Sequence, residues 1–200
     1  MPSRHPAGAC SGSDVTGVAC VPDMAITGID AVGDPRLRGL VAYWAHCRTA
    51  GSPAPARHHL NPADIQPLLP WIMLLDVMED DYRYRLVGTA LDGLFGRALT
   101  GTTLRRAWPA HLGDHWRHWM DRARRDACPA TTRSVVNTRR GRMRLEAVIL
   151  PLSNQPGCID MLLCGLSGSS ARHRYSPLLR PTDEVLEDEL ISFEASALTL

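Results

Sequence analysis

Residues 57–101 read RHHLNPADIQPLLPWIMLLDVMEDDYRYRLVGTALDGLFGRALTG, and this stretch decides the fold. Trp71 to Val77 is an apolar run of strand length, and Glu79-Asp80-Asp81 is an acidic turn. Tyr82 to Gly88 alternates, with Tyr82, Tyr84 and Leu86 on one side and Arg83, Arg85 and Val87 on the other. Two strands joined by so short a turn form an antiparallel hairpin. Thr89 to Phe95 suits a short helix stopped by Gly96. Leu99-Thr100-Gly101 is a turn. The stretch carries no catalytic nucleophile, phosphate loop or metal box. It suits a half-barrel that holds a small ligand or a partner.

Upstream, Asp34-Pro35 opens a helix, with Asp as N-cap and Pro in the first turn. Leu37, Leu40, Val41 and Trp44 form one apolar stripe along it, and Gly51 to Pro55 ends it. Asn61-Pro62 starts a short helical turn carrying Ile65 and Leu68-Leu69, closed by Pro70. Downstream, Trp108 to Asp126 reads as a long helix with Trp108, Leu112, Trp116, Trp119 and Ala123 in a narrow arc. Thr131 to Thr138, Met143 to Pro151 and Cys158 to Leu166 read as three strands. The turns Arg139-Arg140-Gly141 and Asn154-Gln155-Pro156-Gly157 connect them as hairpins.

The expected fold class is therefore α+β, a five-stranded antiparallel sheet with helices on one face and an N-terminal flanking helix. The sheet's other face also carries apolar residues, and the stripe on 37–44, from the same chain or a partner, is the candidate cover. Residues 1–26 are expected to be a disordered tail and 27–70 the flanking helix and lead-in. The core is 71–166, followed by a linker and acidic segment over 167–200. Thr182 to Phe193 reads as an amphipathic acidic helix, N-capped by Thr182. Met24 precedes the first patterned segment and is an alternative start.

Composition narrows the chemistry. All 22 basic residues are Arg, so lysine chemistry, including a Schiff base, is excluded. A formal charge of +1 gives no general pull toward nucleic acid or an anionic membrane. Six scattered cysteines form no Cys-x2-Cys and no zinc spacing. They fit a reducing cytoplasm better than a disulfide scaffold, with Cys158 and Cys164 as small hydrophobes. No apolar run approaches the ~20 residues of a membrane span.

The order strand, strand, short helices, long helix, three strands resembles a PAS domain, and more narrowly the proteobacterial single-PAS-domain regulators. The residues carrying the likeness are Tyr43-Trp44, Arg57, Asn61-Pro62, Leu69-Pro70, Leu75-Asp76-Val77, Tyr84 to Thr89, Phe95-Gly96-Arg97, Leu99-Thr100-Gly101 and Leu150-Pro151-Leu152-Ser153. They span about residues 34–166. The pattern departs at Ala98, where such proteins often carry an acidic residue, and at Asn61, where they carry Asp. The resemblance implies signal sensing or docking, homodimerisation through flanking helices, and a pocket between sheet and helices. The ligand stays unidentified, and no cofactor is assigned. The expected lining is Leu75, Tyr84, Leu86, Leu91, Leu94, Phe95, Leu104, Trp108 and Trp116.

Other constellations compete with that reading. His111, His115 and His118 share one side of the long helix, as metal or haem ligation would need, but a closed zinc site wants four ligands. A solvated face is the simpler reading. Arg57 with His58-His59 would make an anion-binding rim if Arg83 and Arg85 approached. The fork Arg139, Arg140, Arg142 and Arg144, with Arg124-Arg125, suits phosphates and leaves a nucleotide-signal binder as one alternative. The other is a small cone-shaped α+β enzyme, isomerase- or hydrolase-like, using Asp76 or a pocket His as base. Asp76 sits in a buried run, where an unpaired carboxylate is costly. A satisfied partner is expected, with an Arg of the neighbouring strand the candidate. The preferred reading is a non-enzymatic, cytoplasmic bacterial sensor working as a homodimer, with neither nucleic acid nor a membrane span.

Overall fold

A computed structural model describes residues 29–138, 141–155, 157–169 and 184–192. Its strands are β1 (Ile72–Val77), β2 (Tyr82–Val87), β3 (Ala130–Thr138), β4 (Gly141–Leu152), β5 (Met161–Ser169) and β6 (Glu184–Ser192). They form one antiparallel sheet in the order β2-β1-β5-β4-β3-β6. The first five are the expected strands. The sixth is a correction, because Glu184–Ser192 is a strand where an acidic helix was expected. Glu and Asp are poor strand formers, but β3 would otherwise be an open edge, and β6 pairs along it from Ala130 to Asn137. The acidic segment's expected cap at Thr182, the N-terminal tail and Arg139-Arg140 lie outside the described residues.

Alternation along the strands sends Met73, Leu75, Leu145, Ala147, Leu162 and Leu166 to one face. There they meet α2 (Thr89–Phe95), α3 (Leu104–Ala107) and α4 (Ala110–Asp126). The intervening Ile72, Leu74, Val148, Leu150 and Leu163 face the opposite way, onto α1 (Pro35–His46) and the 3-10 segment Pro62–Trp71. The chain thus covers the second face with its own first helix, and Leu37, Leu40, Val41 and Trp44 are its buried stripe.

Two irregularities have identifiable causes. Pro151 sits inside β4, yet pairing with β3 ends at Ile149, so the proline lies where that side of β4 is an edge. In β2, Leu74 pairs with Leu86 but Leu75 pairs with Tyr84, which leaves Arg85 as an extra residue. The bulge shifts the phase of the alternation. Val87 turns inward, and Leu86 is 45% exposed rather than facing the core.

The start of α1 is latched to the sheet. Asp34 caps the helix, accepting from the amides of Arg36 (2.8 Å) and Leu37. Its carboxylate also accepts from the Arg36 guanidinium at 2.8 Å and from the Ser167 hydroxyl of β5. Glu146 of β4 accepts from the amides of Gly33 (2.8 Å) and Asp34 (2.7 Å). Arg133 of β3 donates to Glu146 at 3.4 Å and to the carbonyl of Ala31. Partial burial pushes the Asp34 pKa up, but the hydrogen bonds from Arg36 and Ser167 outweigh it and hold the carboxyl well below its ordinary value. A carboxyl depressed on folding contributes its full stability above about pH 4 and loses it as pH falls through the folded value. Asp34→Ala is therefore expected to cost roughly 1–2 kcal/mol at neutral pH. The gap to wild type in urea unfolding should narrow as the pH drops below about 4.

Candidate functional site

Between the inner face of the sheet and α4 lies an apolar cavity of about 40 Å³. The sheet contributes Met73 of β1, Tyr84 of β2, Val136 of β3, Leu145 of β4, Leu166 of β5 and Val185 of β6. Phe95 of α2 closes one side. Trp108, Leu112, Trp116 and Met120 form the roof. The volume is room for about three or four waters at ~10–15 Å³ each. It is well below the ~300 Å³ at which drug-sized pockets begin. Met73 and Met120 are unbranched and repack readily, so the space is adaptable.

Two polar groups of this lining pair with each other. The indole Nε1 of Trp108 donates to the buried Tyr84 hydroxyl at 3.0 Å. Phe95 meets Trp108 edge-on with centroids 5.3 Å apart, and the Arg97 guanidinium lies 4.9 Å from the Trp108 ring. Burial pushes the Tyr84 phenol well above its ordinary value, so it stays protonated. The buried thiol of Cys164, in the same core, is pushed up to about 12 and is unreactive as a nucleophile. Among the described residues, no carboxylate or imidazole belongs to the lining.

Of the nine residues expected to line a pocket, Tyr84, Phe95, Trp108 and Trp116 do so. Leu75, Leu91, Leu94 and Leu104 are buried in the surrounding core and do not line the cavity. Leu86 faces solvent because of the bulge at Arg85. Trp108 reaches the cavity from an extended residue before α4, not from the helix itself, which starts at Ala110 after Pro109. Asp76 is paired as expected, accepting from Arg83 at 3.0 Å and Arg85 at 3.3 Å. Strand alternation puts it on the face opposite the cavity.

The other candidates do not converge. His111 and His118 are exposed, and His115 packs against Trp116 and Trp119. Among the described residues no group of His, Cys, Asp and Glu is placed to hold a metal. Arg57 donates to the carbonyl of Leu60 at 3.3 Å, while Arg83 and Arg85 are committed to Asp76. Arg142 and Arg144 are exposed on β4. Cys128 and Cys158 are disulfide-bonded, so Cys158 is not the free hydrophobe that its setting suggested.

A PAS domain family model matches residues 33–167, more than half the chain and the span from the α1 cap to β5. The chain belongs to the PAS domain family. Such domains are sensory and regulatory modules. No curated protein matches the chain. No helix among the described residues is long and apolar enough to cross a membrane.

Several lining residues of this PAS domain were missing from the expected set. Met73, Leu145 and Leu166 follow from strand alternation once the inner face is known. Leu112 and Met120 lie along α4 with Trp116. Val185 had no sequence signal, because its segment carries a helix-like pattern. The Tyr84–Trp108 bond makes a direct test of how closely the lining is held. Tyr84→Phe strands a buried indole N–H and should cost about 1–3 kcal/mol. Adding Trp108→Phe should recover part of that loss, read as a coupling energy in a double-mutant cycle.

Proposed function

We propose that this PAS domain is a bacterial sensory module of the single-PAS-domain regulator type. It takes a small, uncharged, apolar ligand between the inner sheet face and α4. The observation carrying this is the lining itself, in which four aromatic rings face an apolar space and the Trp108 indole and Tyr84 hydroxyl are already paired with each other. Among the described lining residues a charged ligand would find no counter-charge, and desolvating it would be costly. An apolar one gains burial against adaptable methionines. Among the described residues no acid/base pair faces the space, which supports a binding role over a catalytic one.

Occupancy would reach the outside through the sheet. Leu145 lines the cavity, and its strand neighbour Glu146 holds the N-terminus of α1. A ligand that enlarges the space shifts β4, and with it the latch of the flanking helix. The working form we assign is a homodimer, for which the outward Leu86 on edge strand β2 is an available apolar contact. The setting we assign is the cytoplasm, where redox conditions would decide whether the disulfides that engage Cys128 and Cys158 persist.

A thermal-shift screen of small uncharged apolar compounds tests the reading. A ligand present at 100 times its Kd should stabilise the fold by about 2.7 kcal/mol. The shift should shrink in Leu145→Phe, which fills the space. No shift with any compound, or an equal shift in the filled variant, contradicts the proposal.

A further inference from the structure

Trp108 also borders a second space, a cleft of about 270 Å³ between the β1–β2 turn, α3 and the first turns of α4. That is close to the ~300 Å³ at which small-molecule pockets begin. Its lining is unlike that of the inner cavity. Asp81 comes from the turn, Arg105 from α3, and Asp114 and Arg117 from α4. Two cations and two anions therefore border one space, and Leu104 and Trp108 give it an apolar wall.

The fold holds these charges in place and leaves much of their bonding capacity unused. The Arg105 guanidinium donates to the carbonyl of Asp80 at 3.2 Å, and the Arg117 guanidinium donates to the same carbonyl, also at 3.2 Å. Two positive groups thus meet at one neutral oxygen, and their donating nitrogens can be no more than twice that distance apart. Among the described residues Arg105 has no carboxylate partner, so most of its donors are free to bind one. Arg117 also bonds Asp114 at 3.2 Å, but this pair lies on the helix surface with Asp114 65% exposed. An exposed pair of that kind is weak, and a ligand can part it at little cost. The Asp81 carboxylate accepts from the amides of Tyr82 (2.8 Å) and Arg105 (3.2 Å). Those bonds fix the carboxylate at the cleft, and among the described residues no side-chain cation neutralises it.

We propose that this cleft is a second binding site, for a small zwitterion with an apolar body, the chemical class of the aliphatic α-amino acids. The ligand carboxylate lies between Arg105 and Arg117, whose planar forks match it. The ligand ammonium faces Asp81 and Asp114, and the aliphatic body covers Leu104 and the Trp108 ring. The mixed lining selects for both charges at once. A plain anion would meet two carboxylates and a plain cation two guanidinium groups, and like charges brought together disfavour each. The site goes beyond the apolar ligand assigned to the inner cavity and does not depend on it.

The test is titration calorimetry on the full chain with three probes that share one apolar body. They are L-leucine, 4-methylpentanoate, which lacks the ammonium, and 3-methylbutylamine, which lacks the carboxylate. Leucine should bind one per chain, and each analogue at least ~10-fold more weakly. Arg105→Ala should weaken leucine by a similar factor. Asp114→Asn should weaken leucine while strengthening 4-methylpentanoate, a reversal that general damage to the fold would not produce. Arg106→Ala, exposed on the same helix and outside the lining, should leave leucine binding unchanged. Leu145→Phe, which fills the inner cavity, should leave it unchanged as well, so this site and the apolar one stand or fall separately. No heat from leucine at millimolar concentration overturns the proposal. So does 4-methylpentanoate binding as tightly as leucine, which would make the cleft a plain anion site. Leucine binding that survives both Arg105→Ala and Asp114→Asn, or that Leu145→Phe abolishes, places the ligand elsewhere and also overturns it.

Discussion

Gly88→Ala is expected to cost at least ~3 kcal/mol, a drop of roughly 6–12 °C in Tm for a domain of this size. The reason is not conformational, since Gly88 has φ −70° and ψ 150°, which any residue can adopt. The reason is space. A Cβ built there would lie 2.3 Å from the carbonyl oxygen of Leu69 and 2.4 Å from the carbonyl carbon and oxygen of Pro70. All three are backbone atoms of the 3-10 segment that leads into β1, so no rotamer change relieves the clash. Backing away would break the bond from the Gly88 amide to the carbonyl of Ile72, now 2.8 Å, and lift the end of β2 from β1. Gly93, in the helix that Gly88 caps, is the control. A Cβ there meets nothing within 4 Å, so Gly93→Ala should be stabilising by up to ~1 kcal/mol. Urea midpoints of the two variants should move in opposite directions. Equal, small effects would mean that the crossing of β2 over the 3-10 segment is looser than described.

Trp44→Ala should cost about 3–5 kcal/mol. Trp44 is fully buried between α1 and the outer face of the sheet, beside Leu37, Leu40 and Val41. Its indole Nε1 donates to the carbonyl of Pro151 at 2.7 Å. Truncation removes the ring, leaves a cavity and strands that carbonyl. Trp44→Phe keeps most of the apolar volume and loses the hydrogen bond, so it should fall between wild type and Trp44→Ala. The ordering follows from α1 covering its own sheet. Were that face covered mainly by a second subunit, Trp44→Ala would change the dissociation constant of the dimer more than the unfolding free energy of the chain.

Local signals carried a large part of the fold. Asp34-Pro35 with the stripe Leu37, Leu40, Val41 and Trp44 specified α1 within the chain itself. The acidic turn between two apolar runs specified the β1–β2 hairpin, and Gly96 in the left-handed region ends α2 as expected. The features that were not legible depend on distant pairing. Arg85 is extra only because β1 fixes the register of β2, and this alone turns Leu86 to solvent. The run EVLEDELIS has the spacing of an amphipathic helix, and only an open β3 edge makes it a strand. Trp108 fits the arc of α4 by spacing, yet Pro109 starts the helix after it and leaves the indole free to reach Tyr84. The candidate site was half legible for the same reason. Its aromatic residues stand out in the sequence, whereas Val136, Leu145, Leu166 and Val185 become neighbours only when four strands align.

The occupant proposed for the space beneath α4 is a small apolar molecule. Native mass spectrometry of the chain purified from its own source tests it most directly. The expected result is one small-molecule mass retained per chain, lost on denaturation and reduced in Leu145→Phe. Bare polypeptide mass under every growth condition, or an adduct that Leu145→Phe retains unchanged, would contradict it.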